Sequence, residues 1–341
     1  MFKFLISVFV LAVLAALALG GGLYWYGHQP LPMAADKTAF RIEPGSGLRT
    51  AVRHIQAAGV GVREWPFIAL VRLQDQAGAI KAGSYEIERG ASAEDLLRKI
   101  TRGEFAQGQL VLVEGWTFKQ MRQLLDAHPD LEHTTRELSD EEIMTRLGAP
   151  GLAPEGRFFP DTYRFSKGDS DLGIFRLAFE EMKRHLAQAW DVRAPGLPFA
   201  TPDEALILAS IVEKETGARA DRDLIAAVFI NRLRKGMRLQ TDPTVIYGIG
   251  ARFDGNLRKV DLMTDTPYNT YMRDGLPPTP IAMPGLESLR AVMHPAATEA
   301  LFFVARGDGS SHFSESLTEH NRAVDRYQRG GRSTAPPNRG K

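Results

Sequence analysis

Two acids close an apolar run. Residues 208–216 read LASIVEKET, so Glu213 and Glu215 follow directly on Leu208, Ala209, Ile211 and Val212. A carboxyl group among apolar neighbours is costly to ionise, and burial raises its pKa. A proton held near neutral pH is what a general acid needs. Two residues apart on a helix, the side chains point about 200° away from each other, so they cannot share one site while the helix continues. Glu215 falls on the stripe of Leu208, Ile211 and Val212, whereas Glu213 lies near Leu206, Ala209 and Ser210. Both stripes hold apolar groups, and helix phase favours neither acid. The alternative reading is that both are solvated residues of a helix end.

Two polar segments follow. FINRLRKGMRLQTDPTVIYG (229–248) brings Asn231, Gln240, Thr241, Asp242 and Tyr247, and DTPYNTYMRDGLPP (265–278) adds Tyr268, Asn269, Thr270 and Tyr271. Amides, hydroxyls and aromatic faces suit a neutral polyhydroxylated ligand such as a glycan. Taken singly, Asn and Asp at such places also make turns and caps. The eight histidines occur singly and no His-Glu-x-x-His is present, so no metal and no cofactor are expected. The absence of cysteine excludes disulfides, Cys-based zinc sites and thiol catalysis.

The elements that must hold these residues are mostly helical. Leu172, Phe175, Phe179, Met182, Leu186 and Ala189 recur at helical spacing and predict an amphipathic helix over 171–191. The next helix opens with TPDEALILASIVEKET, where Thr201 is a candidate N-cap, Pro202 fits the first turn and Glu204 completes a capping box. From Ala205 to Val212 only Ser210 interrupts the apolar character, which marks a buried helix. A third helix is expected from Asp223 to Lys235, ended by Gly236. GLPPTPIAMPG (275–285) reads as a stiff loop, LFFVARGDGSSHFS as a hairpin and TEHNRAVDRYQ as a last helix. The tail 329–341 is basic, rich in Pro and Gly, and expected to be disordered.

Earlier in the chain a loose repeat predicts small α+β modules. Strands beginning at Phe40, Tyr85 and Val111 each lead through a glycine (Gly45, Gly90, Gly115) into a helical pattern. Ser92 with Asp95, and Thr117 with Gln120, have capping-box spacing.

The N-terminus holds an uncharged stretch from Phe4 to Tyr26, preceded by Lys3 and closed by Tyr24, Trp25 and Tyr26. About 20 apolar residues cross a bilayer, and aromatic residues favour its interfaces. The competing reading is a cleaved signal peptide at Ala16-Leu17-Ala18, but that motif sits inside the apolar run. The expectation is a single-pass anchor over 4–26 with residues 1–3 cytoplasmic, a Pro-containing tether over 27–38 and the body outside the cytoplasm. Twelve extended residues span about 40 Å at most. The 341 residues are enough for about two domains, and a net charge of +1 supplies no field favouring nucleic acid.

ASIVEKET, VFINRLRKGMRLQTDPTVIYG, YNTYMRDGLPPTPIAMPG and the earlier EGRFFPDTY resemble the hallmark segments of the YceG-like family, the endolytic murein transglycosylases. The resemblance runs from about residue 40 to 328. It implies an α+β chain with an N-terminal transmembrane helix, a LysM-like α+β module over 39–110 and a connecting α+β segment over 111–165. A mainly helical, lysozyme-like or transglycosylase-like catalytic domain with a small hairpin would then occupy 166–328. It implies non-hydrolytic cleavage of the β-1,4 bond between MurNAc and GlcNAc in nascent peptidoglycan strands, leaving a 1,6-anhydroMurNAc end. It favours Glu215 as the catalytic acid, with Glu213 as fallback, because transglycosylases of this kind carry a hydroxyl residue after the acid and Thr216 follows Glu215. Asn231, Gln240, Thr241, Asp242, Tyr247, Tyr268, Asn269 and Tyr271 are the substrate-contact candidates. Asp242 could also help electrostatically, although Asp-Pro is an ordinary turn start. The implied partners are peptidoglycan strands, the bacterial inner membrane and penicillin-binding protein synthases, with no nucleic acid. The rival readings are a hydrolytic muramidase and a non-catalytic, membrane-tethered peptidoglycan-binding scaffold.

Overall fold

A computed structural model describes residues 2–215 and 218–330. Thr216 and most of the expected tail lie outside the described residues. The chain forms two compact units. The first comprises Met1–Gln109, Asp130–Glu132 and Arg164–Asp169; the second comprises Leu110–Pro129, His133–Tyr163 and Ser170–Lys341.

In the first unit, helix α1 (Phe2–His28) is long and apolar enough to cross a membrane. Strand β1 (Lys37–Ile42) leads to helices α2 (Leu48–Ala57) and α3 (Glu64–Leu73), then to strand β2 (Gly83–Glu88) and helix α4 (Ala93–Arg102). β1 and β2 pair antiparallel, with Phe40 opposite Tyr85. The two-residue alternation of β1 sends Thr38, Phe40 and Ile42 inward, where the two apolar residues meet Val52, Ile55, Phe67, Val71, Leu96 and Ile100 in one core. Ser92 and Asp95 form the expected capping box at the start of α4.

Residues 27–38 are held against this unit rather than free. Leu31 is buried, and its N–H donates to the Ala91 carbonyl at 2.8 Å. Gly61 donates to the Pro32 carbonyl at 2.7 Å, and isolated bridges join Pro30 to Ser92 and Met33 to Val60. The polar composition of the stretch hid the apolar residues, Leu31 and Met33, that dock it.

Strand β3 (Gln107–Val111) pairs with β4 (Thr162–Ser166), and the boundary between the units falls within both strands. The expected strand–glycine–helix pattern occurs three times: β1 to α2, β2 to α4, and β3 to helix α5 (Phe118–Ala127). The intervening Gly45, Gly90 and Gly115 all have positive φ. Thr117 and Gln120 cap α5 as their spacing predicts.

The second unit adds α6 (Asp140–Arg146), α7 (Asp171–Asp191), α8 (Pro202–Glu215), α9 (Arg222–Arg234) and α10 (Asp242–Ile249). It continues through α11 (Lys259–Met263) and α12 (Leu286–Met293) to an antiparallel hairpin, β5 (Phe302–Ala305) with β6 (Ser311–Ser314), and ends in α13 (Leu317–Tyr327). Most of residues 111–165 belong to this unit instead of forming a separate connector. The cause is an aromatic cluster: Phe118 of α5 stacks on Phe158 at 5.1 Å, and both rings pack on Phe175 of α7.

α8 is the centre of the second unit. It packs against α7, α9, α10 and α12, and every residue from Ala205 to Val212 except Ile207 is buried. Ser210 is satisfied inside this core, donating to the Ile207 carbonyl and accepting from the Ile281 N–H. At the start of α8, Thr201 accepts from the Glu204 N–H, while the Glu204 carboxylate turns to the Ala200 N–H.

Candidate active site

The two glutamates at the end of α8 go to different places, as a separation of about 200° requires. Glu213 is spent on structure. Its carboxylate accepts from the Gly285 N–H at 2.9 Å and the Ser288 hydroxyl at 2.7 Å, and Arg222 lies 3.7 Å away. Gly285 is the N-cap of α12, so Glu213 supplies the negative charge that this helix start favours. A Cβ at Gly285 would collide with the Glu114 side chain, which would have to move to admit it.

Glu215 ends α8 on the opposite side and, among the described residues, accepts one hydrogen bond, from the Thr241 hydroxyl. Thr241 is the N-cap of α10 and is itself fixed. Its N–H donates to the Thr270 hydroxyl at 3.1 Å, and its carbonyl accepts from Thr244 at 2.7 Å. Thr244 and Thr270 share a further hydrogen bond at 2.9 Å. The turn entering α10 is tight: Gln240 has φ of 50°, and its N–H donates to the Thr270 carbonyl at 3.2 Å. Three buried threonines from two segments therefore aim one hydroxyl at one carboxylate.

The electrostatics of Glu215 follow from what surrounds it. Burial pushes its pKa up, the Thr241 hydroxyl pulls it back, Asp242 raises it further and Arg232 lowers it. Arg232 is buried beneath this turn, donating to the Leu239 and Leu301 carbonyls at 2.7 Å each. Asp171 shows the opposite balance. Burial raises its pKa, but hydrogen bonds from the hydroxyls and N–H groups of Thr134 and Thr135 outweigh it and leave the group below the usual range. The Leu172 N–H adds a further donor at 2.8 Å. Many donors favour the carboxylate, whereas burial that outweighs the hydrogen bonding leaves the proton attached to higher pH.

The other candidates divide into two groups. Thr241 and Asp242 lie at the Glu215 end of α10, and the Tyr271 hydroxyl donates to Asp242 at 2.5 Å. Gln240 is exposed beside them. Tyr247, one turn on, meets Tyr268 edge to face at 4.7 Å, and the Tyr268 hydroxyl bonds Thr279 at 2.8 Å. Asn231 and Asn269 are committed elsewhere. Asn231 donates to the Thr298 and Ala300 carbonyls, tying α9 to the approach to β5. Asn269 is fully buried, donating to the carbonyls of Asp261, Leu262 and Thr264 and accepting from the Tyr271 N–H. These two amides shape the walls and leave no donor for a ligand.

Glu155 is a buried acid that residue spacing did not single out. It accepts from the Phe118 N–H and from the Tyr247 hydroxyl, each at 3.0 Å. Burial raises its pKa to about 7 against those two hydrogen bonds. Its only signal in the chain was its place in EGRFFPDTY, ahead of two phenylalanines that are buried.

This helical unit places a desolvated acid at the end of its central helix, with a hydroxyl-lined turn beside it. The chain belongs to the YceG-like family, whose model matches residues 40–326. It is 32% identical over 328 residues to the endolytic murein transglycosylase of Bacillus subtilis, covering 90% of each chain. It is 27% identical to the endolytic murein transglycosylase of Streptococcus pneumoniae, covering 94% of this chain and 65% of that one. A crystal structure of a YceG-like protein from Listeria monocytogenes matches with a TM-score of 0.52 and 27% identity, over 84% of this chain and 98% of that one.

Proposed function

We propose that this chain is an endolytic murein transglycosylase that cuts the MurNAc–GlcNAc β-1,4 bond of nascent glycan strands, with Glu215 as acid and then base. The observation that carries the reading is the desolvated setting of Glu215, met by the Thr241 hydroxyl. Protonated Glu215 gives its proton to the glycosidic oxygen as the C1–O bond breaks and positive charge develops on the sugar. The resulting carboxylate takes the proton of the MurNAc C6 hydroxyl, whose oxygen bonds C1 and closes the 1,6-anhydro ring. The proton lost in the first step is regained in the second, and no water is consumed. The Thr241 hydroxyl stabilises the carboxylate between the steps, and the Tyr271–Asp242 pair holds negative charge beside the developing cation. The names of the family's relatives and the match over most of the chain support this reading. Glu213 is disfavoured as the acid by its three partners around α12.

The finer assignments belong to the same proposal. α1 anchors the chain in the bacterial inner membrane with the body on the outer side, as its length and apolar character support. Residues 39–110 act as a LysM-like module; their small two-stranded α+β architecture is of the class this requires. Penicillin-binding synthases are partners through their shared nascent strands. Digestion of purified peptidoglycan, with products read by mass, tests the chemistry. Fragments lighter than hydrolytic ones by one water are expected; full-mass muropeptides would mark a hydrolase, and absence of cleavage a scaffold.

A further inference from the structure

Helix α3 is apolar on two faces, and only one of them is used by the fold. Phe67, Ile68, Leu70 and Val71 enter the core of the first unit. On the other side Trp65, Ala69 and Leu73 stand at i, i+4 and i+8, forming one stripe. Trp65 is 71% exposed and Leu73 72% exposed, with half-buried Ala69 between them. The small Ala69 leaves the two large side chains as separate prongs at the ends of the stripe. A helix apolar all round belongs in a core or in lipid.

The position of α3 distinguishes these. α1 packs on α3 where α1 ends. The Tyr26 hydroxyl accepts from the Arg63 N–H at 3.0 Å, and Gly27 backs onto Leu70. Tyr24 and Trp25 of the same turn are exposed, as residues of an interfacial belt would be. Trp65 is two residues from Arg63, at most about 7.6 Å along the backbone. Each headgroup layer is roughly 5–8 Å thick. The indole therefore starts at the depth where Trp25 leaves the hydrocarbon. Exposed Arg63 and Arg72 flank the stripe, and Arg49 lies over the Trp65 ring at 5.6 Å while pairing with Glu64 at 3.0 Å.

We propose that the Trp65–Ala69–Leu73 face of α3 is a second membrane contact, lying in the headgroup layer of anionic lipid beside the exit of α1. The indole of Trp65 and the Leu73 side chain sit at the acyl boundary, and Arg63 and Arg72 meet lipid phosphates. The first unit is thereby fixed flat on the bilayer. This rests on α1 spanning the membrane, and the test separates the two claims.

The full chain is reconstituted in phosphatidylglycerol–phosphatidylcholine vesicles carrying a headgroup spin label, in forms that keep one of Trp25, Trp65, Trp116 or Trp190 and replace the others with Phe. Circular dichroism verifies folding of each form. Trp25 and Trp65 are expected to be quenched severalfold more than Trp190, and the Trp65 signal to weaken in pure phosphatidylcholine or high salt. If Trp25 is not quenched, the anchor reading falls and this proposal with it. If Trp25 is quenched while Trp65 behaves like Trp190, the anchor stands and this proposal is overturned. Shielding of Trp65 that grows with protein density, without lipid quenching, would assign the face to a second copy and also overturn it.

Discussion

At the scale of single residues, Glu155, Glu213 and Glu215 of the second unit do different work because they have different donors. Replacing Glu215 with Gln removes the transferable proton and is expected to lower turnover of peptidoglycan by about 10²–10⁴-fold with the fold unchanged. Replacing Glu213 with Gln should do the reverse, costing about 1–3 kcal/mol in thermal unfolding while activity per folded molecule persists. Equal loss of activity in both variants with no loss of stability would reverse these roles. Thr241→Val removes the hydroxyl that stabilises the Glu215 carboxylate. The Glu215 pKa should rise further, and the alkaline limb of the kcat/KM–pH profile should move to higher pH, while Thr241→Ser restores it. Helix geometry alone could read the divergence of Glu213 and Glu215 from their spacing. It could not read which acid was free, because Gly285, Ser288 and Thr241 reach them from 26 or more residues away.

At the scale of elements, α10 connects two acids. Its first turn carries Thr241 and Asp242 beside Glu215, and its second carries Tyr247 against Glu155. Glu155 has a folded-state pKa of about 7 against an ordinary value of 4.5. Because the folded value is the higher one, the folded state binds the extra proton. The associated stability is full below about pH 4.5 and is lost as pH rises through 7, by roughly 3 kcal/mol in total. Glu155→Gln cannot lose a proton there. Its stability relative to the parent should improve between about pH 4.5 and 8, as followed by thermal unfolding; a constant difference would place the Glu155 proton elsewhere. The legible elements were those with one strong period. α7 occupies the expected 171–191, and α9 falls within one residue of its expected ends. The eight-residue α10 begins with Asp-Pro, which reads equally well as a turn, and α3 has no polar stripe to reveal its phase. Glu155 escaped because its hydrogen-bond donors, the Phe118 N–H and the Tyr247 hydroxyl, lie 37 and 92 residues away in the chain.

At the scale of the whole molecule, the decisive contact is the docking of residues 26–33 on the first unit. Leu31 is buried, and Tyr26 and Met33 pack on the same core, so the expected tether over 27–38 is docked along part of its length. From Lys3 to Gly22 the helix is exposed throughout, so removal of residues 1–22 should leave the melting temperature of the body unchanged. Removal through residue 33 also takes Leu31 out of the core, at a cost of about 1.5–3 kcal/mol for that side chain alone. It should lower the melting temperature, and equal melting of the two truncations would show the docking to be dispensable. Composition could announce the apolar span but not this seat, since Leu31 and Met33 among polar and proline residues make too short a pattern to read.

The join at Tyr26–Met33 leaves little room for swivelling. Whatever lean the long apolar helix α1 adopts is handed on to the α+β body behind it. A short Gly-Ser insert after His28 would cut that inheritance, and spin-label order parameters on α2 would register the body beginning to tumble on its own.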